Sequence, residues 1–189
     1  IREAILNLEE KIEEENKNNT IELRVNHNIE AESILDDKIK ELPLDRIPII
    51  IAGGSFNAKN RETKVTEEGL NILEDLIKKI DNKKVYFVVG HKVEGYEKAI
   101  IDISNKLNKD FEIYAIVPKM ISKEVGEKLL NDNINGVRIS TENEEFGIYK
   151  SFNYEIFERR NSIVIAFDGN SPVSNLVQEA KNGKGKSKI

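Results

Sequence analysis

Three turns built from small and polar residues hold the side chains in this sequence best suited to chemistry. The first is Gly53-Gly54-Ser55, running into the loop Phe56-Asn57-Ala58-Lys59-Asn60-Arg61. Two adjacent glycines let a ligand approach the backbone closely or supply positive φ, and Ser55 adds a hydroxyl. Lys59, Arg61 and Lys64 supply cations for phosphate oxygens. The second turn is Gly90-His91-Lys92-Val93-Glu94-Gly95-Tyr96. Here His91 is suited to hydrogen-bond a ribose or phosphate, or to exchange a proton near neutral pH. Gly95 opens the backbone to a ligand, and Tyr96 reads as a core or pocket-wall aromatic. The third group is Arg159-Arg160 with Asp168-Gly169-Asn170-Ser171-Pro172-Val173-Ser174. Either one arginine reaches back to clamp phosphate through two hydrogen bonds, or the pair places favourable charge at a helix carboxyl end. Asp168 would accept ribose hydroxyls, Gly169 frees the backbone, and Asn170, Ser171 and Ser174 supply polar contacts. Together these residue types favour holding a phosphate-bearing small molecule over breaking its bonds.

No catalytic residue is assigned. Glu142, Glu144 and Glu145 read as a solvated acidic loop, while Glu155, Glu158 and Glu179 are placed to approach the crevice without a recognisable acid–base partner. Neither a Walker A loop nor a GxGxxG fingerprint is present. The chain has no cysteine and only His27 and His91, so thiolate chemistry is excluded and a histidine-rich metal site is not expected. No cofactor is expected beyond the ligand itself.

The elements that would position these turns follow from apolar patterning. Strands are expected at 47–52, 85–89, 111–117, 136–140 and 162–167, and helices at 66–80, 94–108, 122–132, 148–160 and 172–181. Thr66 is the expected N-cap of the helix at 66–80, and Ser122 is the expected first residue of the helix at 122–132. The strand at 47–52 is almost wholly apolar, as a strand covered on both faces should be. Regular strand–helix alternation predicts an α/β fold: a doubly wound, mostly parallel, Rossmann-like sheet of five or more strands with helices on both faces. Each turn follows a strand and precedes a helix, so the crevice is expected where strand carboxyl ends meet helix N-termini. Residues 1–45 form an N-terminal connector or packing segment with helices expected at 1–15 and 29–41 and a short strand at 21–25. Residues 46–189 form the main domain, and the last residues, from Gly183, can begin a further strand.

The 189 residues suffice for one such domain plus an appendage. A net charge of −5 argues against non-specific nucleic-acid binding, which needs a cationic face. No apolar run approaches the roughly 20 residues of a membrane helix and no signal peptide is visible, so a cytoplasmic location is expected. The sole methionine is Met120, which fits a segment cut from a longer protein.

Residues 47–189 resemble the SLOG superfamily, which includes the DprA DNA-processing proteins and the LOG phosphoribohydrolases. The resemblance lies in the strand entering Gly53-Gly54-Ser55, the strand entering Gly90-His91 and Gly95, and the passage Phe157-Glu158-Arg159-Arg160-Asn161 leading through a strand to Asp168-Gly169. LOG enzymes carry a Pro-Gly-Gly-x-Gly-Thr turn followed closely by a catalytic glutamate. Here Phe167-Asp168-Gly169-Asn170-Ser171-Pro172 stands in its place, with no acid in the next helical turn. The resemblance therefore implies a sensor-type member that binds a nucleotide-derived signal, ADP-ribose-like or a cyclic nucleotide. It further implies an effector on the same chain or a partner protein, a role in prokaryotic antiviral defence, and a homo-oligomer. The alternative it implies is a LOG-like nucleotide phosphoribohydrolase or N-glycosidase.

Overall fold

The computed structural model describes residues 28–54, 65–140, 152–167, 171–185 and 187–189. Its centre is a set of short, fully apolar runs that can be satisfied only between two covered faces. These are β2 (Ile47–Ala52), β3 (Val85–Val89) and β4 (Ile113–Val117), with every residue of β3 and β4 buried. β6 (Gly136–Ile139), β7 (Ser162–Ala166) and β8 (Ser187–Lys188) complete a six-stranded sheet in the order β6-β4-β3-β2-β7-β8. Every pairing within it is parallel. The expected doubly wound, Rossmann-like α/β architecture is therefore the one observed.

Alternation along the strands divides the core in two. Ile49, Ile51, Phe87, Val89, Ile113, Ala115 and Val117 face α2 (Glu67–Lys79), α3 (Tyr96–Lys106) and α4 (Lys123–Asn131), which contribute Leu73, Ile77, Ile100 and Leu129. Ile50, Tyr86, Val88, Ile116 and Val164 face the other way, toward Phe152, Ile156 and Phe157 and toward α5 (Ser171–Asn182) with Leu176 and Ala180. Thr66 caps α2 as its position predicts, accepting from the Gly69 amide, and Ser122, expected inside the helix, instead caps α4 by accepting from the Val125 amide.

Three local expectations need correction. The helix expected at 29–41 is a strand, β1 (Asn28–Glu30), then the short helix α1 (Ala31–Leu35) and a 3-10 turn over Asp36–Lys38. β1 pairs antiparallel with β5 (Met120–Ser122), a strand that local patterning does not show. Ala31 and Leu35 are fully buried in the first core and Leu42 in the second, so residues 28–45 pack as part of the same body. Of the helix expected at 148–160, the described part is a π-type turn, Asn153–Phe157. The helix expected at 1–15 and the strand expected at 21–25 lie outside the described residues. Among those described, no helix is long and apolar enough to cross a membrane.

Candidate functional site

From β2 the chain builds outward through β3, β4 and β6, then returns to the opposite side of β2 to lay down β7 and β8. The strand order thus reverses between β2 and β7. Helices leaving those two strands lie on opposite faces, the topology at which open parallel sheets usually carry a ligand at the carboxyl rim.

Four elements converge at this point on one side chain, Tyr96. It is 2% exposed, and its ring stacks on Phe167, just beyond β7, with centroids 3.8 Å apart and planes inclined by 15°. The Tyr96 hydroxyl accepts from the Thr66 amide at 3.1 Å and lies 3.3 Å from Thr66 Oγ1, which ties it to the start of α2. The Tyr96 amide donates to the Gly53 carbonyl at 3.4 Å, which ties the start of α3 to the end of β2. Space for the ring exists because its neighbours have no side chain. A Cβ on Gly54 would lie 2.7 Å from Tyr96 Cδ2, and one on Gly69 would strike the Tyr96 hydroxyl.

Gly95 has φ 60° and ψ −128°, a conformation open in practice only to glycine. A Cβ there would run into the carbonyl group of Gly54. The close approach that Gly95 permits is therefore to the backbone of the Gly53–Gly54 turn. Phe167 continues the β2–β7 ladder, its amide donating to the Ala52 carbonyl at 2.9 Å. Its partly buried ring lies at this rim, backed by Tyr96.

Beside this corner, at the end of β3, His91 is 7% exposed and Lys92 is exposed. Here the structure adds a residue that sequence reasoning passed over. Glu97 Oε1 accepts from the Gly90 amide at 2.7 Å, and the Glu94 backbone also hydrogen-bonds the Glu97 carboxyl. Burial pushes the Glu97 carboxyl up to about 7, with a smaller push from the charge of Glu94. Those two backbone hydrogen bonds and the Lys128 ammonium pull the other way. A glutamate in the first turn of a helix, seven residues after a strand-ending glycine, was the available signal. On the helical pattern it reads as one more surface charge.

The structure therefore gathers Gly53, Gly54, Gly90, His91, Gly95 and Tyr96 along one rim, at the carboxyl ends of adjacent strands. Ser171 opens α5 after β7, and Ser174 lies exposed in its first turn. Ser55, Phe56, Arg61, Asp168, Gly169 and Asn170 lie outside the described residues. The arginine expectation is corrected: Arg159 and Arg160 precede β7 and so sit at the amino end of the sheet, away from the rim. Arg160 donates to the carbonyls of Glu155, Leu42 and Pro43 and lies 3.4 Å from the Tyr86 hydroxyl. The bonds to Leu42 and Pro43 tie that segment to the sheet, while the bond to the Glu155 carbonyl sets the guanidinium against the Asn153–Phe157 turn, in line with the alternative of favourable charge at a helix carboxyl end. Glu155, expected near the crevice, instead bonds Arg138 of β6, Nε to Oε1 at 3.2 Å. Among the described residues no cluster of histidine and carboxylate side chains could hold a metal ion. Protein-family models, curated proteins and solved structures were each compared with the chain, and none of the three gives a match.

Proposed function

We propose that this domain is a SLOG-type sensor that binds a nucleotide-derived signal in the crevice between β2 and β7. The observation that carries the reading is the reversal of strand order at that point, with the starts of α2, α3 and α5 all set on the same rim. Positive dipole ends there favour phosphate groups. Phe167, backed by Tyr96, offers an aromatic face against which a base can stack. Ligand binding would reorganise the rim and pass to an attached effector or a partner protomer as a shift in population.

The competing reading, a nucleotide N-glycosidase of LOG type, gains one observation. Glu97 is a carboxyl that titrates near neutrality close to the crevice. Its Oε1, however, is engaged by the amide of its own turn. One experiment separates the two: calorimetric titration with ADP-ribose, cyclic ADP-ribose isomers, cyclic oligonucleotides and nucleoside monophosphates, with the mixtures assayed for released base. Saturable binding without base release is the expected result. Base release would overturn the sensor reading in favour of the glycosidase, and no binding by the folded protein would overturn both.

A further inference from the structure

Among the described residues, a helix packs on β7 from one face only. Val164 is 2% exposed beneath α5. On the other face Ile163 and Ile165 stay partly open, although their neighbours in β2, Ile49 and Ile51, are buried. With Phe167 they form a row of alternate residues along the strand. α2 borders this row. Its Glu74 meets Lys106 and its Lys78 carbonyl meets Lys109, so that flank of the helix faces α3. Ile72 and Leu76 lie two residues before each, about 200° round the helix, and so face the β7 side. Ile72 is 55% exposed and Leu76 is partly buried. These five side chains line an apolar slot beside α2. Moving two strands outward from α2, over β7 and β8, covers about 10 Å, the spacing of one neighbouring helix.

We infer that residues 1–15 of this same chain dock in the slot as an amphipathic helix alongside α2, their glutamate-rich end against Lys79 and Lys188. The sequence sets Ile1, Ala4, Ile5, Leu8 and Ile12 at the spacing of one helical face. Glu9, Glu10, Glu13, Glu14 and Glu15 gather in the second half of the segment, with Lys11 the one cation among them. At the slot, Lys79 lies exposed on the Ile72 flank in the last turn of α2. Lys188 is exposed and pairs with Ile163, so it projects on the same face. Both lysines stand at the amino end of the sheet, while Glu68 stands at the rim end. Opposite charge therefore sets the direction and brings Arg2 toward Glu68. Residues 16–27 supply the link, since a dozen residues reach about 40 Å when extended. Asn28 is held in β1 against β5, just after β4, and β4 lies three strand spacings, about 14 Å, from β7.

Phe167 closes the rim end of the slot, so a helix docked there touches the stacked aromatic pair. Its bearing on ligand binding rests on the site proposed above; the docking itself does not. The chain has no cysteine, so a single nitroxide can be placed on the polar side of the segment in the full chain, at Glu14→Cys. The amide signals of Lys79, Ile163 and Lys188 should then be lost to paramagnetic broadening, with those of β6, at the far edge of the sheet, retained. Moving the label to Glu3→Cys should move the loss to Glu68 and Phe167. Adding Leu8→Glu to the Glu14→Cys protein breaks the apolar stripe, leaves residues 28–189 unchanged, and should restore the signals. A mixture of labelled chain with unlabelled, isotope-enriched chain should show no loss. Loss in that mixture would assign the slot to a second copy. No loss in the labelled chain, loss centred on another element, or loss that survives Leu8→Glu would exclude the segment from the slot. Each of these results overturns the proposal, whereas a failed nucleotide titration would leave it standing.

Discussion

Glycines at this rim make room for protein before they make room for a ligand. Gly54 and Gly69 leave space for the Tyr96 ring, and Gly95 adopts a conformation that any side chain would strain while lying against the Gly54 carbonyl. Gly95→Ala is therefore expected to lose about 3 kcal/mol or more of stability, combining backbone strain with overpacking. Lys92→Ala, one turn away and exposed, should stay within about 0.5 kcal/mol. Urea unfolding of both variants checks the contrast; equal effects would mean that the Gly95 contact is not a constraint on the fold. The small-residue turns were legible from composition, but what approaches them was not. A glycine announces close approach without naming its partner, and here the partner is the neighbouring turn.

Strands and helices with a one-dimensional signature were read well. The runs at 47–52 and 85–89 agree with β2 and β3 because burial on both faces demands unbroken apolar sequence. The cap at Thr66 agrees because an N-cap is a local bond. What was missed is held by partners distant in sequence. β1 and β5 are three residues each and exist through pairing Asn28–Glu30 with Met120–Ser122, a register no local pattern encodes. The destination of Arg160 likewise depends on where Leu42, Pro43 and Tyr86 lie in three dimensions.

Lys38 shows the same dependence at the join between the 28–45 segment and α4. Its Nζ donates to the carbonyls of Leu129, Asp132 and Ile134 at 3.1, 3.2 and 3.2 Å, closing the carboxyl end of that helix. Lys38→Met keeps the stem and removes these bonds, and is expected to lower stability by about 2 kcal/mol. Thermal unfolding measures it; an unchanged midpoint would show that water replaces the ammonium without loss.

Across the whole molecule, the parallel sheet separates two ends with different contents. The amino end carries a tied network. Arg46 pairs with Glu112, Tyr114 donates to Glu112 at 2.8 Å, and the Arg46 guanidinium lies 5.9 Å from the centre of the Tyr86 ring, whose hydroxyl Arg160 also approaches. The Arg46 hydrogen bond holds the Glu112 carboxyl below its ordinary range, and burial, with help from Glu112, pushes the Tyr114 phenol up to about 12. These groups satisfy one another. The carboxyl end carries the strand-order reversal, three helix starts, a stacked aromatic pair and the strained Val93 turn. The ligand site proposed above accordingly lies at the second end.

Backbone amide spectra, recorded while ADP-ribose and the cyclic nucleotides are titrated in, test that assignment most directly. The expected result is saturable shifts at Gly53, Gly54, Gly95, Tyr96 and Phe167, with Arg46, Tyr86 and Arg160 unmoved. Shifts centred on Arg46, Tyr86 and Arg160, or no saturable shift with any of these nucleotides, would contradict it.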